Sequence, residues 1–251
     1  MDRNLDSSGG GILARADGSS IAYRRRTGKS PGILFLHGYR SDQNGIKAQA
    51  IEAFAGAAGL AFTSFDCWGH GGSPGDIELG TIGRWLDDSL AVLDHLTEGP
   101  QILAGSSMGG WLALLAALER PKRVHALLGI ATAPDFTEER LWATLSQAQR
   151  RELFVTGKTT LPGTGWTIAR GLIEEGRNHL LLGDTINLSC PVRLLQGQKD
   201  ESVPWETALR LADCLAGGDV EVTLIKDGDH RLGRPSDLAR LTGILEALVK
   251  S

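Results

Sequence analysis

Short apolar runs alternate with longer amphipathic stretches along most of the chain. Residues 32–36, 60–65, 101–104, 124–130, 192–195 and 220–225 read as strands, 101–104 as a buried parallel one. Residues 21–26 read as the edge strand of an opening hairpin. Between the strands, residues 43–58, 81–96, 204–215 and 236–249 carry helical periodicity, and another helix starts at Ser107. In the first of these, Ile46, Ala50 and Phe54 fall on one face. Strands alternating with helices predict a mainly parallel sheet covered on both sides.

One interval breaks the rhythm. Residues 132–189 hold no strand signal, only two amphipathic helical stretches, 138–154 and 166–181, separated by a glycine- and threonine-rich break at 156–165. A long insert between two core strands is expected to be a lid or binding element. We therefore expect one domain, 1–251, with a cap inserted at 132–189. Leu141, Trp142, Leu145, Phe154, Trp166, Ile168, Leu172 and Ile173 give this insert an apolar surface. More than half of them are expected to pack the insert onto the core rather than to meet a ligand.

Composition narrows the function classes. A length of 251 residues, 41% hydrophobic and 22% charged, is ordinary for a globular protein. A net charge of -4 argues against a nucleic-acid partner. Cys67, Cys190 and Cys214 are too few and too far apart for a disulfide framework or a metal site. No run is long and apolar enough to span a membrane. Residues 1–11 are polar and glycine-rich, without the pattern of a signal or transit peptide, so a cytoplasmic address is expected.

Chemistry enters at the strand ends. The pattern Gly-x-Ser-x-Gly occurs three times, around Ser30, Ser73 and Ser107. A nucleophilic serine needs a tight turn that exposes its hydroxyl, and the next residue must offer a backbone N–H to the oxyanion. Pro31 and Pro74 have no N–H. Ser107 is followed by Met108, preceded by an apolar strand and followed by a strongly helix-forming run, 111–118. Gly105 and Gly109 allow the turn to pack closely. Ser106 lacks these flanking glycines.

A serine needs a base, and the base an orienting acid. After a strand–turn–helix nucleophile these follow in the order acid, then histidine. Of six histidines, His230 alone combines that order with a loop position after a strand. His37 and His70 precede Ser107 and are expected to brace loops, His70 together with Asp66. Asp200, beyond the strand at 192–195 and the turn at Gly197, is the candidate acid. Glu201 beside it and Asp135 after the preceding strand compete, and Asp229 is too close to His230 to orient its ring. The N–H groups of Tyr39 and Met108 are the expected oxyanion donors. Arg40 is a candidate contact for a polar or anionic part of a substrate, or a solvated arginine. Trp111 is expected to pack.

So placed, these residues make the chain resemble the α/β-hydrolase superfamily over nearly its whole length. The motifs are His37-Gly38-Tyr39, Asp66 with Gly69-His70-Gly71 and Ser73, Gly105 to Gly109, Gly197 with Asp200 and Val203-Pro204, and Asp229-His230. Residues 99–111 and 190–205 and the run Asp229-His230-Arg231 are similar, more narrowly, to the mitochondrial palmitoyl-protein thioesterases and acyl-glucuronide esterases of that superfamily. With no evident transit segment, a bacterial, cytosolic relative is expected. The resemblance implies an α/β-hydrolase fold: a mostly parallel central sheet, helices on both faces and a small helical cap. It implies a serine esterase or thioesterase with a Ser107–Asp200–His230 triad, needing no metal or organic cofactor. The substrate would be a small-molecule or protein-attached acyl ester or thioester; Arg40, Trp142 and Trp166 are the candidate contacts that the residues themselves offer. A serine peptidase or amidase, and a small-molecule binder without turnover, are the alternatives.

Overall fold

The computed structural model describes residues 8–251. The reading of the N-terminal segment rests in part on residues 1–7, which lie outside the described residues.

Eight strands form one sheet in the order β1-β2-β4-β3-β5-β6-β9-β10. They are β1 (Ser8–Ala14), β2 (Ser20–Arg26), β3 (Lys29–Leu36), β4 (Leu60–Phe65), β5 (Gln101–Ser106), β6 (Val124–Ile130), β9 (Val192–Gly197) and β10 (Val220–Ile225). The β1–β2 and β2–β4 pairs are antiparallel and the remaining pairs parallel. The expected edge strand, β2, is therefore flanked on both sides. The edge on this side is β1, whose Gly9-Gly10-Gly11 offers no side-chain alternation to read. A side chain at Gly11 would run into the ring of Tyr23 on β2.

Strands β3, β4, β5, β6 and β9 feed both faces. Leu34 and Leu36 of β3 enter one core, and Ile33 and Phe35 enter the other, as the two-residue period of a strand requires. The first core lies beneath α2 (Ile82–Leu96), α3 (Met108–Glu119) and α6 (Glu206–Cys214). The second lies beneath α1 (Ile46–Ala58) and α7 (Pro235–Val249). Helix α3 is buried from Met108 through Ala117, which explains why it is apolar all round. The buried face of α1 is Ala48, Ile51 and Ala55, one step round from the expected stripe, and Ile46 is exposed. Trp111 is fully buried, as expected.

From β3 the chain turns outward to β4, then returns to place β5 on the other side of β3. The strand order reverses there, which is where parallel sheets open a crevice beyond their carboxyl ends.

Between β6 and β9 the chain leaves the sheet. The excursion holds a π-helical turn (Thr137–Trp142), α4 (Gln147–Thr156), a hairpin of β7 (Lys158–Thr160) and β8 (Thr167–Ala169), α5 (Arg170–Gly176) and a 3-10 turn (Arg177–His179). Neither long helix expected there exists. Ser146 starts α4 afresh: its Oγ accepts from the N–H of Gln149, and its own N–H donates to Gln149 Oε1. The stretch 156–165, expected as a break, supplies half of a hairpin. Among the described residues, no helix is long and apolar enough to cross a membrane.

Candidate active site

Ser107 stands between β5 and α3 with φ 55° and ψ −118°. Such a conformation costs a non-glycine residue on the order of 1–3 kcal/mol and persists only where neighbours over-determine it. Here they do. The Ser107 N–H donates to Ile130 O at 2.9 Å, and Ser107 O accepts from the N–H groups of Gly110 and Ala133. A Cβ on Gly105 would overlap Gly109 O, and one on Gly109 would overlap Leu36 O. The glycines let the helix press against β3 and β5.

His230 arrives from the loop after β10. Its Nε2 lies 3.1 Å from Ser107 Oγ and its Nδ1 2.8 Å from Asp200 Oδ2. That spacing suits Nδ1–H donating to the carboxylate while Nε2 faces the hydroxyl. The Asp200 side chain is fully buried after β9. It also accepts from the N–H groups of Ser202 and Val203, each at 2.8 Å, and from Gln196 Nε2 at 2.9 Å. Burial pushes this carboxyl up, but the bonds from His230 and Val203 outweigh it and hold Asp200 below the usual carboxylate range. Gln196 is a residue that sequence reasoning missed. A polar side chain after Leu194-Leu195 and directly before the turn at Gly197 was the available signal.

The competing acids are occupied elsewhere. Asp135 accepts from the N–H groups of Leu181 and Leu182, both at 2.8 Å, and ties down the end of the excursion. Burial pushes its carboxyl up. Asp229 accepts from the N–H of Leu232 and shapes the histidine loop. Glu201 is exposed. The serines before proline are no nucleophiles either: Ser73 is buried, donates to Asp66 O and accepts from the Ala22 N–H, and Ser30 lies exposed on β3.

His37 and His70 brace the loop after β3. His37 Nδ1–H donates to Gly38 O and its Nε2 accepts from the Cys67 N–H at 3.0 Å. His70 Nδ1–H donates to Trp68 O and its Nε2 accepts from the Arg40 N–H at 3.1 Å. Each ring needs the neutral form to make both bonds. Burial pushes both imidazoles down, His70 to about 3. Asp66 accepts from the N–H groups of Gln43 and Gly72 and from Gln43 Nε2, closing the neighbouring turn.

Two unlike clefts meet at Ser107 and His230. One, of about 230 Å³, is lined by Tyr39, Met108, Phe136, Leu141, Trp166 and Val203 among others, and Arg140 is the charged side chain that the described residues bring to it. The other, of about 220 Å³, is lined by His37, Ser41, Asp42, Lys47 and Arg231. Lys47 Nζ donates to Arg231 O at 2.6 Å, linking α1 to the histidine loop. Burial, then the charge of Arg231, lowers its ammonium to about 8. Met108 is the first residue of α3, where the helix leaves its N–H without an intrahelical acceptor.

Of the three residues expected to meet a substrate, Trp166 lines the apolar cleft. Trp142 does not: it packs edge-on to Phe154 and beneath the guanidinium groups of Arg150 and Arg177. Arg40 lines neither cleft and is not a solvated arginine, because its guanidinium is taken up by the excursion. Lys47, Phe136 and Arg140 line the clefts without any local sequence signal. Their neighbourhood is created only by folding.

Residues 30–234 match the family described as serine aminopeptidase, S33. The chain is 44% identical to the mitochondrial palmitoyl-protein thioesterase ABHD10 of Mus musculus over 243 residues, 95% of this chain and 82% of that protein. The solved mouse ABHD10 structure superposes with a TM-score of 0.91 at 43% identity, covering 97% of this chain and 99% of that one. A solved Agrobacterium vitis S4 protein, described as a hydrolase, superposes with a TM-score of 0.90 at 37% identity, covering 97% and 98%. The expected cytoplasmic address is overturned by these findings. The mouse, bovine and human relatives are all named mitochondrial and point to that compartment. With the sheet order, the strained serine turn and likeness over nearly the full length, the chain belongs to the α/β-hydrolase superfamily of serine hydrolases, in the family of the ABHD10 palmitoyl-protein thioesterases.

Proposed function

We propose that the protein hydrolyses acyl thioesters or esters through an acyl-enzyme on Ser107. The observation that carries this reading is the unbroken chain from Asp200 through His230 to Ser107, lying where the apolar and polar clefts meet. His230 takes the Ser107 proton as Oγ attacks the acyl carbonyl, and Asp200 stabilises the resulting imidazolium. The N–H groups of Tyr39 and Met108 receive the oxyanion. His230 then gives its proton to the departing thiol or alcohol, and a water that it deprotonates releases the acid. The acyl chain lies in the cleft of Phe136, Leu141 and Trp166, and the leaving group, small or protein-attached, lies on the side of Ser41 and Lys47. The excursion, 132–189 in our reading, acts as a cap within a single domain. The reaction needs no metal or organic cofactor.

A peptidase reading has the family description in its favour. An aminopeptidase must receive a free ammonium near the scissile bond; among the described residues the apolar cleft offers Arg140 and no carboxylate, and Asp42 lies in the other cleft, on the side given to the leaving group. That charge favours the ester reading. The test is a fluorophosphonate probe with wild-type protein and Ser107→Ala, beside acyl thioesters of graded length and a panel of peptide anilides. We expect labelling only with Ser107 present, and turnover of thioesters. Faster turnover of anilides sinks the ester reading, and an unlabelled wild-type protein favours a binder.

A further inference from the structure

Arg40 directly follows Tyr39, yet its side chain leaves the core. Nη2 donates to Thr167 O on β8 at 3.1 Å. The guanidinium carbon sits 5.3 Å from the ring centroid of Trp166 and 5.4 Å from that of Tyr39. Among the described residues no carboxylate pairs with it, and its Nε, like the Tyr39 hydroxyl, is shielded from solvent without a hydrogen-bond partner. With no ion-pair partner, the half-buried guanidinium is held by one hydrogen bond and by the faces of two rings. The contact across the gap is what its position delivers. At the other end its backbone is fixed: φ is 56°, in the left-handed region, and its N–H donates to His70 Nε2.

Trp166 is 41% exposed and forms one wall of the apolar cleft. Its ring meets Tyr39 edge-on at 5.9 Å, and Tyr39 in turn meets Phe136 at 6.0 Å. We propose that Arg40 is a positioning residue that ties the Trp166 wall to the Tyr39 loop, so that filling the apolar cleft and aligning the Tyr39 N–H are one coupled event. This rests on the acyl-transfer reading above. A long acyl chain presses on Trp166, and the guanidinium passes that pressure to the segment that holds the oxyanion donor. A short acyl group does not reach the wall and draws nothing from the tie.

The test compares p-nitrophenyl acetate, octanoate and dodecanoate with wild-type protein, Arg40→Met and Trp166→Ala. Arg40→Met keeps the aliphatic stem and removes the fork of donors. We expect kcat/KM to fall about 10-fold or more on octanoate and dodecanoate, mainly in kcat, and less than about 3-fold on acetate. In a Trp166→Ala background the same change is expected to bring no further chain-length effect. A loss of equal size on all three esters, no loss, or additive effects of the two substitutions overturns the proposal. Should Arg40→Met fail to fold, Arg40→Lys keeps the charge but not the planar fork, and an unchanged chain-length profile there overturns it equally. Wild-type protein inactive on all three esters removes the acyl-transfer reading and the proposal with it. Active wild-type protein with a uniform loss removes the proposal alone.

Discussion

The carboxyl edge of the sheet and the excursion between β6 and β9 treat glycine in opposite ways. At the edge, a Cβ on Gly105, Gly109 or Gly197 would overlap backbone atoms of a neighbouring segment. In the excursion, a Cβ on Gly157, Gly163, Gly165, Gly171 or Gly183 would meet nothing within 4 Å, and only Gly176 is crowded, against Thr137. The edge is over-determined: backbone lies on backbone, and the strained Ser107 is held by that contact. Between its two ends the excursion is joined to the rest through side chains, such as the Glu175 carboxylate to the N–H of Gly83 and Trp111 Nε1 to His179 O. Chemistry that tolerates sub-ångström error belongs at the first kind of place, and selectivity that varies belongs at the second.

The severest test of the edge is electronic rather than steric. Asp200→Asn keeps the shape but puts a donor where Ser202, Val203 and Gln196 already donate, and it favours the wrong tautomer of His230. We expect kcat to fall about 10⁴-fold with little change in KM. Steady-state kinetics with one chromogenic ester measures it, and a fall below about 10-fold would mean that His230 is oriented by something else. Next comes Gly109→Ala. The added methyl must push α3 away from Leu36 O, so we expect destabilisation of roughly 3 kcal/mol or more, read from the urea midpoint. A loss under about 1 kcal/mol would show the edge to be as yielding as the excursion.

The same contrast decided what could be read from the chain. That Ser107, Asp200 and His230 come together was legible because each requirement is local: an N–H at Met108 rather than a proline, a glycine turn after a strand, a loop position in the right order. The sheet strands were legible for the same reason, apart from β1, whose three glycines erase alternation. The excursion misled because apolar spacing over 138–154 was read as one helix, although Ser146 and Gln149 carry the reciprocal cap that starts a new one. Thr159, Thr160 and Thr167 are good strand residues, but a hairpin of three-residue strands is too short for a period to register. Arg40 and Trp142 could not be placed from sequence. Which side of the excursion faces Ser107 is settled by tertiary packing alone.

A smaller effect separates the regions by pH. His70, beneath the loop after β3, is held neutral by burial with a value of about 3, against 6.5 when free. The unfolded chain therefore binds a proton that the folded chain refuses. The stability this represents is complete above pH 6.5 and is lost as pH falls toward about 3. His70→Gln removes that term. We expect its melting temperature to be lower at neutral pH but to fall less steeply with acid, the slope easing by up to about 1.4 kcal/mol per pH unit. Thermal melts from pH 7 to pH 4 test this. Parallel curves for the two proteins would move the acid sensitivity away from the edge.

The smallest effect has the opposite sign and belongs to the excursion. Gly171 lies in the first turn of α5 and is exposed, and an added Cβ meets no atom within 4 Å. Its φ is not in the left-handed region, so alanine fits the backbone as it stands. Alanine narrows the unfolded ensemble and favours the helix, and Gly171→Ala should add about 0.4–1 kcal/mol of stability. For a chain of this size that is a rise of roughly 1–4 °C in melting temperature. Gly171 lines neither cleft, so turnover should stay unchanged across the ester series. The two glycine-to-alanine changes, at 109 and 171, then differ in sign as well as in size. If Gly171→Ala instead destabilises, α5 is packed as tightly as the sheet edge. The excursion would then be a fixed wall, and its tolerance of added side chains would say nothing about its freedom to adapt to an acyl chain.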